Sequence, residues 1–362
     1  MKKIDLYIIK KYLATFFFTV LIFSIIAAII DFSDKIEDYV EEDVTLYEII
    51  FDYTLNFMLF INGLLLPLYA LIAVVFFTSR LAYNSEIISI LNAGVSFTRL
   101  LRPYMIAALL ITGLHLLGNH ILIPQGNKKR IQFEHKYIYK HNDKGKKRDV
   151  HIFIAPDTKV YISRYRKADS TANNLRIEKF KDNELVAILK AKEAKWQGPP
   201  NHWKLLNYER RSFNGYKETL EISPKGGSID TLIDITPGDF VRYLEEKDMM
   251  VTSELRKFIA IEKQRGVGNA KPFEIEIHRR TAEPITILIL TIIGVAVAAR
   301  KVRGGMGLHL AIGIAIGAVF IFLSKFSVSF ATNESLPAVL GVWLPNIFFF
   351  LVALILLYNA QK

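Results

Sequence analysis

Glu86 is the only acidic residue between positions 52 and 134, and it lies in a short polar segment, residues 80–102, between two long apolar runs. The same segment contains three arginines. This single carboxylate lies beside apolar side chains on a segment that is otherwise cationic. Such a carboxylate is suited to pair with a cation in a groove of a partner protein. The alternative is a turn that lies on lipid headgroups, although anionic lipid would repel the carboxylate.

The residue spacing predicts a helix over residues 85–96. Ser85 is suited to cap this helix, Glu86 lies in the first turn, where the helix dipole favours a carboxylate, and Gly94 ends it. One stripe of the helix is apolar, and its members are Ile87, Ile88, Leu91 and Val95. The polar residues lie elsewhere on the helix and are Ser89, Asn92 and Ser96.

Two lysines, Lys35 and Lys325, lie near the outer ends of apolar runs. Lys325 is 19 residues beyond Met306, which corresponds to about 28 Å along a helix and brings it close to the outer headgroups. Its ammonium group either extends toward water or faces an internal cavity, where it could bind a phosphate.

The sequence lacks the common catalytic and metal-binding motifs. It contains no G-x-x-x-x-G-K-[ST], no H-E-x-x-H, no G-x-S-x-G and no cysteine. His115 and His120 are five residues apart and so lie on different faces of a helix, which disfavours a metal pair. The acidic run 37–43 either binds divalent cations or is a solvated loop. We therefore expect no catalytic residue, no metal site and no cofactor bound by this chain itself.

Charge is strongly segregated along the 362 residues. The chain is 51% hydrophobic but carries a net charge of +11, of which residues 124–283 contribute +10. The remaining sequence predicts six transmembrane helices, at 13–30, 53–79, 103–123, 284–299, 306–330 and 336–358. We expect Pro124 to close the third helix and the acid-rich segment 31–52 to be an outside loop. Basic residues cluster at 80–102 and 300–305, so these loops and both termini are predicted to be cytoplasmic.

Residues 124–283 predict a β domain. Short runs rich in β-branched and aromatic residues, separated by Pro, Gly, Asn and Asp, predict strands at 151–155, 159–163, 173–180, 184–191, 202–213 and 217–222. Their spacing is typical of a sandwich or an open roll, and residues 169–174 are a predicted loop. From 237 to 265 the apolar residues recur with the period of a helix. We expect Ser253 to be the N-cap of this helix and Gly266 to end it.

The expected fold class is an α-helical membrane protein with an inserted all-β domain, divided into residues 1–123, 124–283 and 284–362. A secondary transporter should carry ionisable groups near the middle of several membrane helices, and these helices have almost none apart from the histidines. A membrane-anchored envelope enzyme or scaffold should carry its working residues in the β domain, where no catalytic set is found. The basic charge accompanies no nucleic-acid motif, which favours anionic lipid as its partner.

Five motifs in this order resemble the LptF/LptG permease family, the transmembrane subunits of the lipopolysaccharide-export ABC transporter. They are SEIISILNAGVS (85–96), DITPGDF (234–240), HRRTAEPITILILTIIGV (278–295), RGGMGLHLAIGIAIG (303–317) and VWLPNIFFF (342–350). The resemblance covers essentially the whole chain. It implies six transmembrane helices with a periplasmic β-jellyroll between the third and the fourth. Phe32-x-Asp34 and HRRTAEP are closer to the LptG-like side, but the choice between the two paralogous subunits stays open.

The resemblance also implies roles for single residues. The helix at 85–96 matches the family's coupling helix, which docks onto the cytosolic ATPase subunit, and its proposed coupling residues are Glu86, Ile87, Leu91, Gly94 and Ser96. Lys35 and Lys325 fall on the first and fifth helices, which line the lipid gate, so both are expected to bind lipid. Some members carry several lysines at the outer end of the first helix, whereas here that end is mostly acidic (IIDFSDKIEDYVEED).

The implied function is that of a permease subunit in the bacterial inner membrane, which extracts lipopolysaccharide from the outer leaflet. The implied partners are a cytosolic ABC ATPase dimer that binds the ATP, a paralogous permease subunit that completes a heterodimer, and a periplasmic bridge protein with a β-jellyroll. The chain itself would be no enzyme, and its residues 124–283 would be periplasmic.

Overall fold

The computed structural model describes residues 3–139, 148–166, 169–182, 184–215, 217–237, 246–264, 270–300, 305–333 and 336–360. The chain divides into two compact units. The helical unit comprises Met1–Lys140, Lys247–Leu255 and Lys271–Lys362, and the β unit comprises His141–Glu246 and Arg256–Ala270.

Helices make up most of the helical unit. In chain order they are α1 (Lys3–Asp34), α2 (Ile36–Glu41), α3 (Leu55–Tyr83), α4 (Glu86–Asn92), α5 (Phe97–Leu117), α6 (Ile123–Phe133), α7 (Glu246–Met249), α8 (Thr252–Gln264), α9 (Lys271–Ala298), α10 (Gly305–Thr332) and α11 (Ala338–Ala360), where α7 and α8 connect the two units. Among the described residues, six segments are long and apolar enough to cross a membrane. They are Lys3–Asp34, Glu48–Tyr83, Phe97–Ile138, Lys271–Ala298, Met306–Thr332 and Ala338–Ala360. The prediction of six membrane helices is confirmed.

Two predicted helix ends are wrong, and both lie at prolines. Pro124 does not close the third span, because it lies in the first turn of α6 and the helical path continues to Ile138. A proline there removes no hydrogen bond that the first turn needs, and the π-helical turn Gly118–Leu122 before it already departs from the usual pattern. Similarly, α9 contains Pro284 instead of starting at it. The helical unit therefore extends beyond the predicted boundary at each proline.

The acid-rich segment 31–52, predicted as a loop, is largely helical. It contains the end of α1, the short helix α2 and the start of a π-helical turn that leads into α3. Two acids lie in the first turn of α2, where the helix dipole favours them. Tyr39 of α2 is buried and packs edge-on against Tyr53 and Phe133. Aromatic packing, which charge composition does not reveal, holds this segment in place.

α9 is the most buried of the six spans. Within its apolar window, 67% of the residues are buried, against 17% for α1. A Cβ atom added at Gly294 of α9 would lie 2.5 Å from Cγ1 of Val74 in α3. A side chain at this position would therefore clash with Val74, so glycine permits the close packing of α9 on α3, and the main core of the unit surrounds this contact.

The β unit contains one antiparallel sheet. Its strands, in the described part of the unit, are β1 (Arg148–Ala155), β2 (Thr158–Arg166), β3 (Thr171–Lys181), β4 (Glu184–Gly198), β5 (His202–Asn214), β6 (Lys217–Ile222) and β7 (Ser228–Leu232). The first six strands follow the prediction. β7 was not predicted, and β3 starts inside the predicted loop 169–174. Ser253 lies inside α8 instead of capping it, and Gly266 lies outside the described residues.

The strands β1 to β6 lie side by side in chain order, and β7 pairs with the first half of β5. One face of the sheet is buried, with a core that includes Val160, Ile162, Leu175, Ala194, Trp203 and Leu205. The indole nitrogen of Trp203 donates a hydrogen bond to the carbonyl oxygen of Ile235 (2.9 Å), which fixes the segment after β7 to this core. Among the described strands, β1, β6 and β7 each pair with a single neighbour, so these three are the outer members and the sheet is open.

Candidate functional site

The elbow, which we define as residues 84–96, joins α3 to α5 and includes α4. Ser85 precedes α4 in the left-handed conformation (φ 61°) and makes no side-chain capping hydrogen bond, so its predicted capping role is wrong. The reason is the tight turn after α3, in which the Ser85 backbone nitrogen donates to the Ala82 carbonyl oxygen (3.0 Å). Ser96 is a cap instead: its hydroxyl oxygen accepts from the backbone nitrogen of Arg99 (3.3 Å) at the start of α5.

The end of α4 agrees with the prediction. Gly94 follows the helix with φ 81°, a conformation that favours glycine, and its nitrogen donates to the Leu91 carbonyl oxygen (3.0 Å). Glu86 begins α4, and its carboxylate accepts a hydrogen bond from the Asn84 side chain (3.3 Å). Within the described residues, Glu86 forms no ion pair.

The predicted apolar stripe of α4 is divided between two environments. Ile87 is fully buried in the core of the helical unit, and Leu91 packs against the same core. Ile88, in contrast, is 39% exposed, and Ser89 and Asn92 are exposed as well. Ile87 therefore anchors the elbow to its own bundle and is not available to a partner, and the accessible surface lies around Ile88.

An ion pair that sequence reasoning missed fixes the start of α5, directly after the elbow, to α1. Both terminal nitrogens of Arg99 donate to the Asp5 carboxylate, at 2.8 and 2.7 Å. A bidentate pair of this kind holds the orientation of both side chains. The signal in the sequence was Asp5 itself, a single acid among the lysines of the N-terminus.

Lys35 lies in a network of charges where α1 ends, α3 begins and α6 ends. Its ammonium group is 2.7 Å from the Asp31 carboxylate and 3.4 Å from that of Glu134, and it donates to the Tyr53 hydroxyl. Arg130 also pairs with Glu134 (2.9 Å). Two cations and two anions thus balance one another, and the Lys35 side chain is only 15% exposed.

Lys325 has a different environment. It is exposed near the end of α10 and lines two adjoining cavities of about 170 and 150 Å³. Both cavities are also lined by Leu64, Arg279 and Glu283, and we call them together the Lys325 cleft. In the part of the chain that the structure describes, Lys325 forms no hydrogen bond and no ion pair.

The first cavity of the Lys325 cleft is polar. Arg279 lies 2.8 Å from the Glu276 carboxylate, 3.4 Å from Asp248 and 3.7 Å from Glu283. Burial, followed by the charge of Glu276, raises the pKa of the Asp248 carboxyl. Arg279 therefore pairs with all three of these acids, and its distance to the Glu283 carboxylate is the longest of the three.

Arg280 fixes the back of this polar cavity. It is buried and pairs with Glu276 (2.9 Å). Its other nitrogens donate to the backbone oxygens of Met250 (2.8 Å) and Lys247 (2.9 Å). These bonds tie the segment around α7 to α9, so the HRRTAEP stretch acts here as a structural clamp.

The second cavity of the cleft is mainly apolar. Its lining includes Pro67 and Leu68 of α3, Leu290 of α9, and Gly317 and Phe320 of α10. Along α9 and α10, these apolar residues lie deeper in the span than the charged residues that line the first cavity. The cleft thus offers a charged mouth near one membrane surface and an apolar slot below it, which is the arrangement that an amphiphile requires.

The two histidines of the third span bind separate neighbours. His115 Nε2 lies 3.0 Å from the Gly63 carbonyl oxygen, and His120 Nδ1 lies 2.8 Å from the Thr252 hydroxyl. The described residues contain no group of three or more side chains suited to hold a metal ion. Residues 37–43 lie mostly in α2 and the turn after it, and whether they bind a cation stays a prediction.

Comparison with known proteins gives two findings. The family described as lipopolysaccharide export system permease LptF/LptG matches residues 6–359. The lipopolysaccharide export system permease protein LptG of Escherichia coli K12 is 21% identical over 293 residues, which cover 80% of either chain. The protein of the same name from Escherichia coli O6:H1 gives the same values.

The family match spans nearly the whole chain, including the elbow, the Lys325 cleft and the β unit. The six apolar helices are those of a multi-pass inner-membrane protein of this kind. The chain belongs to the lipopolysaccharide export permease family LptF/LptG.

Proposed function

We propose that this chain is a permease subunit of an ABC transporter that extracts lipopolysaccharide from the outer leaflet of the inner membrane and passes it to a periplasmic bridge protein. The observation that carries the proposal is the Lys325 cleft, which combines a charged mouth with an apolar slot inside one helical unit. Lys325 is the cation that we assign to the lipid, because its charge is not matched by an ion pair within the described residues.

Membrane physics supports a path of this shape. Moving an acyl chain from the bilayer into water costs about 0.8 kcal/mol per methylene group. A lipid with several chains would therefore need tens of kcal/mol if its chains crossed water, so its path has to stay apolar. We infer that the helical unit receives the chains from the membrane and that the β unit, whose interior is apolar, shields them afterwards.

We assign the elbow to the contact with a cytosolic ATPase dimer. Glu86 and Ile88 supply a carboxylate and an exposed apolar side chain for a groove of that partner. Ile87, which is buried in the bundle, passes a displacement of α4 to the core. The ATPase partner binds and hydrolyses ATP, and this chain contributes no catalytic residue.

We also propose a paralogous permease subunit and a periplasmic bridge protein as partners. The open sheet supports the second, because an outer strand can pair with a strand of another β domain. Leu220 and Ile222 of β6 and Leu232 of β7 are exposed, which suits such an extension on that side. Photo-crosslinkers placed along β1 and β6 should capture the bridge protein, and failure at every position would contradict this contact.

The proposed orientation places both termini and the elbow in the cytoplasm and the β unit in the periplasm, because basic residues concentrate in the short loops on one side. The chain has no cysteine, so single cysteines can be introduced without background. An impermeant thiol reagent should label Lys225→Cys in intact cells, but not Ser89→Cys. The opposite pattern would reverse the orientation.

The function is tested by reconstituting the chain with its paralogue and the ATPase in vesicles that contain lipopolysaccharide. We expect ATP-dependent transfer of lipopolysaccharide to a soluble bridge protein. Transfer that a proton or sodium gradient drives without ATP would favour a secondary transporter instead.

A further inference from the structure

The sheet of the β unit carries a surface cavity that the export path described above does not use. It has a volume of about 280 Å³ and lies across β2 to β5. We call it the sheet cleft and define it by the lining residues Tyr161, Asn174, Arg176, Lys190, Lys192 and Asn207.

The sheet cleft lies where three neighbouring strands depart from regular pairing. Asn174 of β3 and Asn207 of β5 both have left-handed backbones, with φ of 51° and 50°. The register places them on either side of Lys192 in β4, because Leu175 and Tyr208 both pair with Ala191. A left-handed backbone is uncommon for residues other than glycine, and such positions are concentrated at binding sites.

The backbone of Asn207 is held in this conformation by its neighbours. Its side-chain oxygen accepts from the nitrogen of Gly226 (2.9 Å), and its backbone nitrogen donates to the oxygen of Gly227 (3.0 Å). The irregular row therefore belongs to the fold and provides a fixed site rather than a variable loop.

A polar row crosses the sheet beside these residues. Tyr161 pairs with Arg176, Arg176 with Lys190, and Lys190 with Glu209. The Arg176 guanidinium lies 5.2 Å from the centre of the Tyr161 ring, so the aromatic ring and the cation form one platform.

The acids around the cleft are already engaged. Glu209 pairs with Arg211, Glu178 lies 2.9 Å from Arg176, and Asp149 accepts a hydrogen bond from the Tyr161 hydroxyl (2.8 Å). Lys190 and Lys192, in contrast, are exposed and form no ion pair within the described residues. The cleft therefore presents two uncompensated ammonium groups beside an aromatic platform and two side-chain amides.

We propose that the sheet cleft binds the phosphorylated saccharide of an amphiphile. The two lysines suit a phosphate, the amides of Asn174 and Asn207 suit sugar hydroxyls, and the Tyr161 ring offers a flat apolar surface to a sugar face. The inference rests on the proposed function in one respect: an exported lipopolysaccharide presents such a headgroup to the β unit.

The test uses the full-length protein in nanodiscs and measures binding of a soluble glucosamine disaccharide bisphosphate without acyl chains. The double variant Lys190→Glu/Lys192→Glu should weaken binding at least tenfold, which corresponds to about 1.4 kcal/mol. The matched control is Lys217→Glu/Lys225→Glu, which makes the same charge change at exposed lysines of β6 and the following turn. The control should bind like the wild type.

Three outcomes would overturn the proposal: wild-type affinity in the double variant, an equal loss in the control, or equal affinity for the unphosphorylated disaccharide. Inorganic phosphate that binds as tightly as the bisphosphate would also overturn it, since the saccharide would then contribute nothing. Failure of the proposed function is recognised separately, because intact probe binding without ATP-driven lipid transfer contradicts export and leaves this site standing.

Discussion

Lys35 and Lys325 are the same residue type near one end of two membrane spans, but their environments differ. Lys35 is held between Asp31 and Glu134 and is largely buried, whereas Lys325 is exposed at the mouth of a cleft and forms no ion pair among the described residues. The difference teaches that the counter-ion, more than the lysine, decides whether a cation at a membrane surface can bind lipid. Balanced charges stabilise the protein, and unbalanced ones are available for function.

Glu86 extends the comparison to the elbow, where it also lacks an ion pair among the described residues. Glu86→Lys should lower ATPase coupling by ten- to a hundredfold, because a charge pair at an interface contributes about 1–3 kcal/mol and 1.4 kcal/mol is a factor of ten. The measurements are ATPase pull-down and lipid release by the reconstituted complex. Glu86→Gln serves as the milder variant, and pairing with the paralogous subunit should be unchanged in both. Wild-type binding and release in Glu86→Lys would place Glu86 outside the interface.

Lys325→Glu should reduce lipid release about tenfold, since it replaces an available cation with an anion beside Glu283. The variant should still insert and assemble, because no ion pair of the described residues is lost. Lys325→Arg is the control that keeps the charge. If Lys325→Glu and Lys325→Gln both release lipid at the wild-type rate, the lysine only anchors the helix at the membrane surface.

Lys35→Gln should act on stability instead. Removing the ammonium takes the ion-pair partner from the Asp31 carboxylate, although the Tyr53 hydroxyl still donates to it (3.1 Å), and this should lower the free energy of unfolding by about 1–3 kcal/mol. Thermal unfolding in detergent measures the effect, and Lys129→Gln, an exposed lysine of α6, is the matched control. If the variant has normal stability but loses lipid release, then Lys35 acts in export, and the contrast drawn here between Lys35 and Lys325 is wrong.

Asp5→Asn should give the smallest effect of the four. It removes the carboxylate that Arg99 binds, but the Arg99 side chain is 31% exposed, so the expected loss of stability is at most about 1 kcal/mol. We expect a small decrease in the midpoint of thermal unfolding and normal lipid release. A large loss of coupling in this variant would show that the tether between α1 and the start of α5 is part of the transmission to the ATPase.

The sequence was sufficient for the number of spans and for six of the strands, because each depends on a local run of side chains. Prediction from the sequence failed at residues whose type is compatible with two different structural positions. Pro124 and Pro284 resemble helix ends, but proline is also accepted in a first turn or inside a well-packed membrane helix. β7 was missed because it is only five residues long and alternates with polar side chains.

Side-chain roles were harder to predict than elements. Ile87 and Ile88 are neighbours of the same type, and only the packing of α4 shows that one is core and the other is surface. Lys35 was correctly placed near the end of a span, but its two acids come from different helices, 4 and 99 residues away. Long-range pairing of this kind cannot be derived from local periodicity.

The contact between Gly294 and Val74 has a mechanical consequence. Because the Val74 side chain of α3 lies directly against Gly294 of α9, the two helices pack closely, and we expect them to move together as one stiff strut. The elbow follows one end of α3, and α9 carries Glu283 and Arg279 at the mouth of the Lys325 cleft. We therefore expect a displacement of the elbow to reach the mouth of the Lys325 cleft through the packed pair of helices α3 and α9.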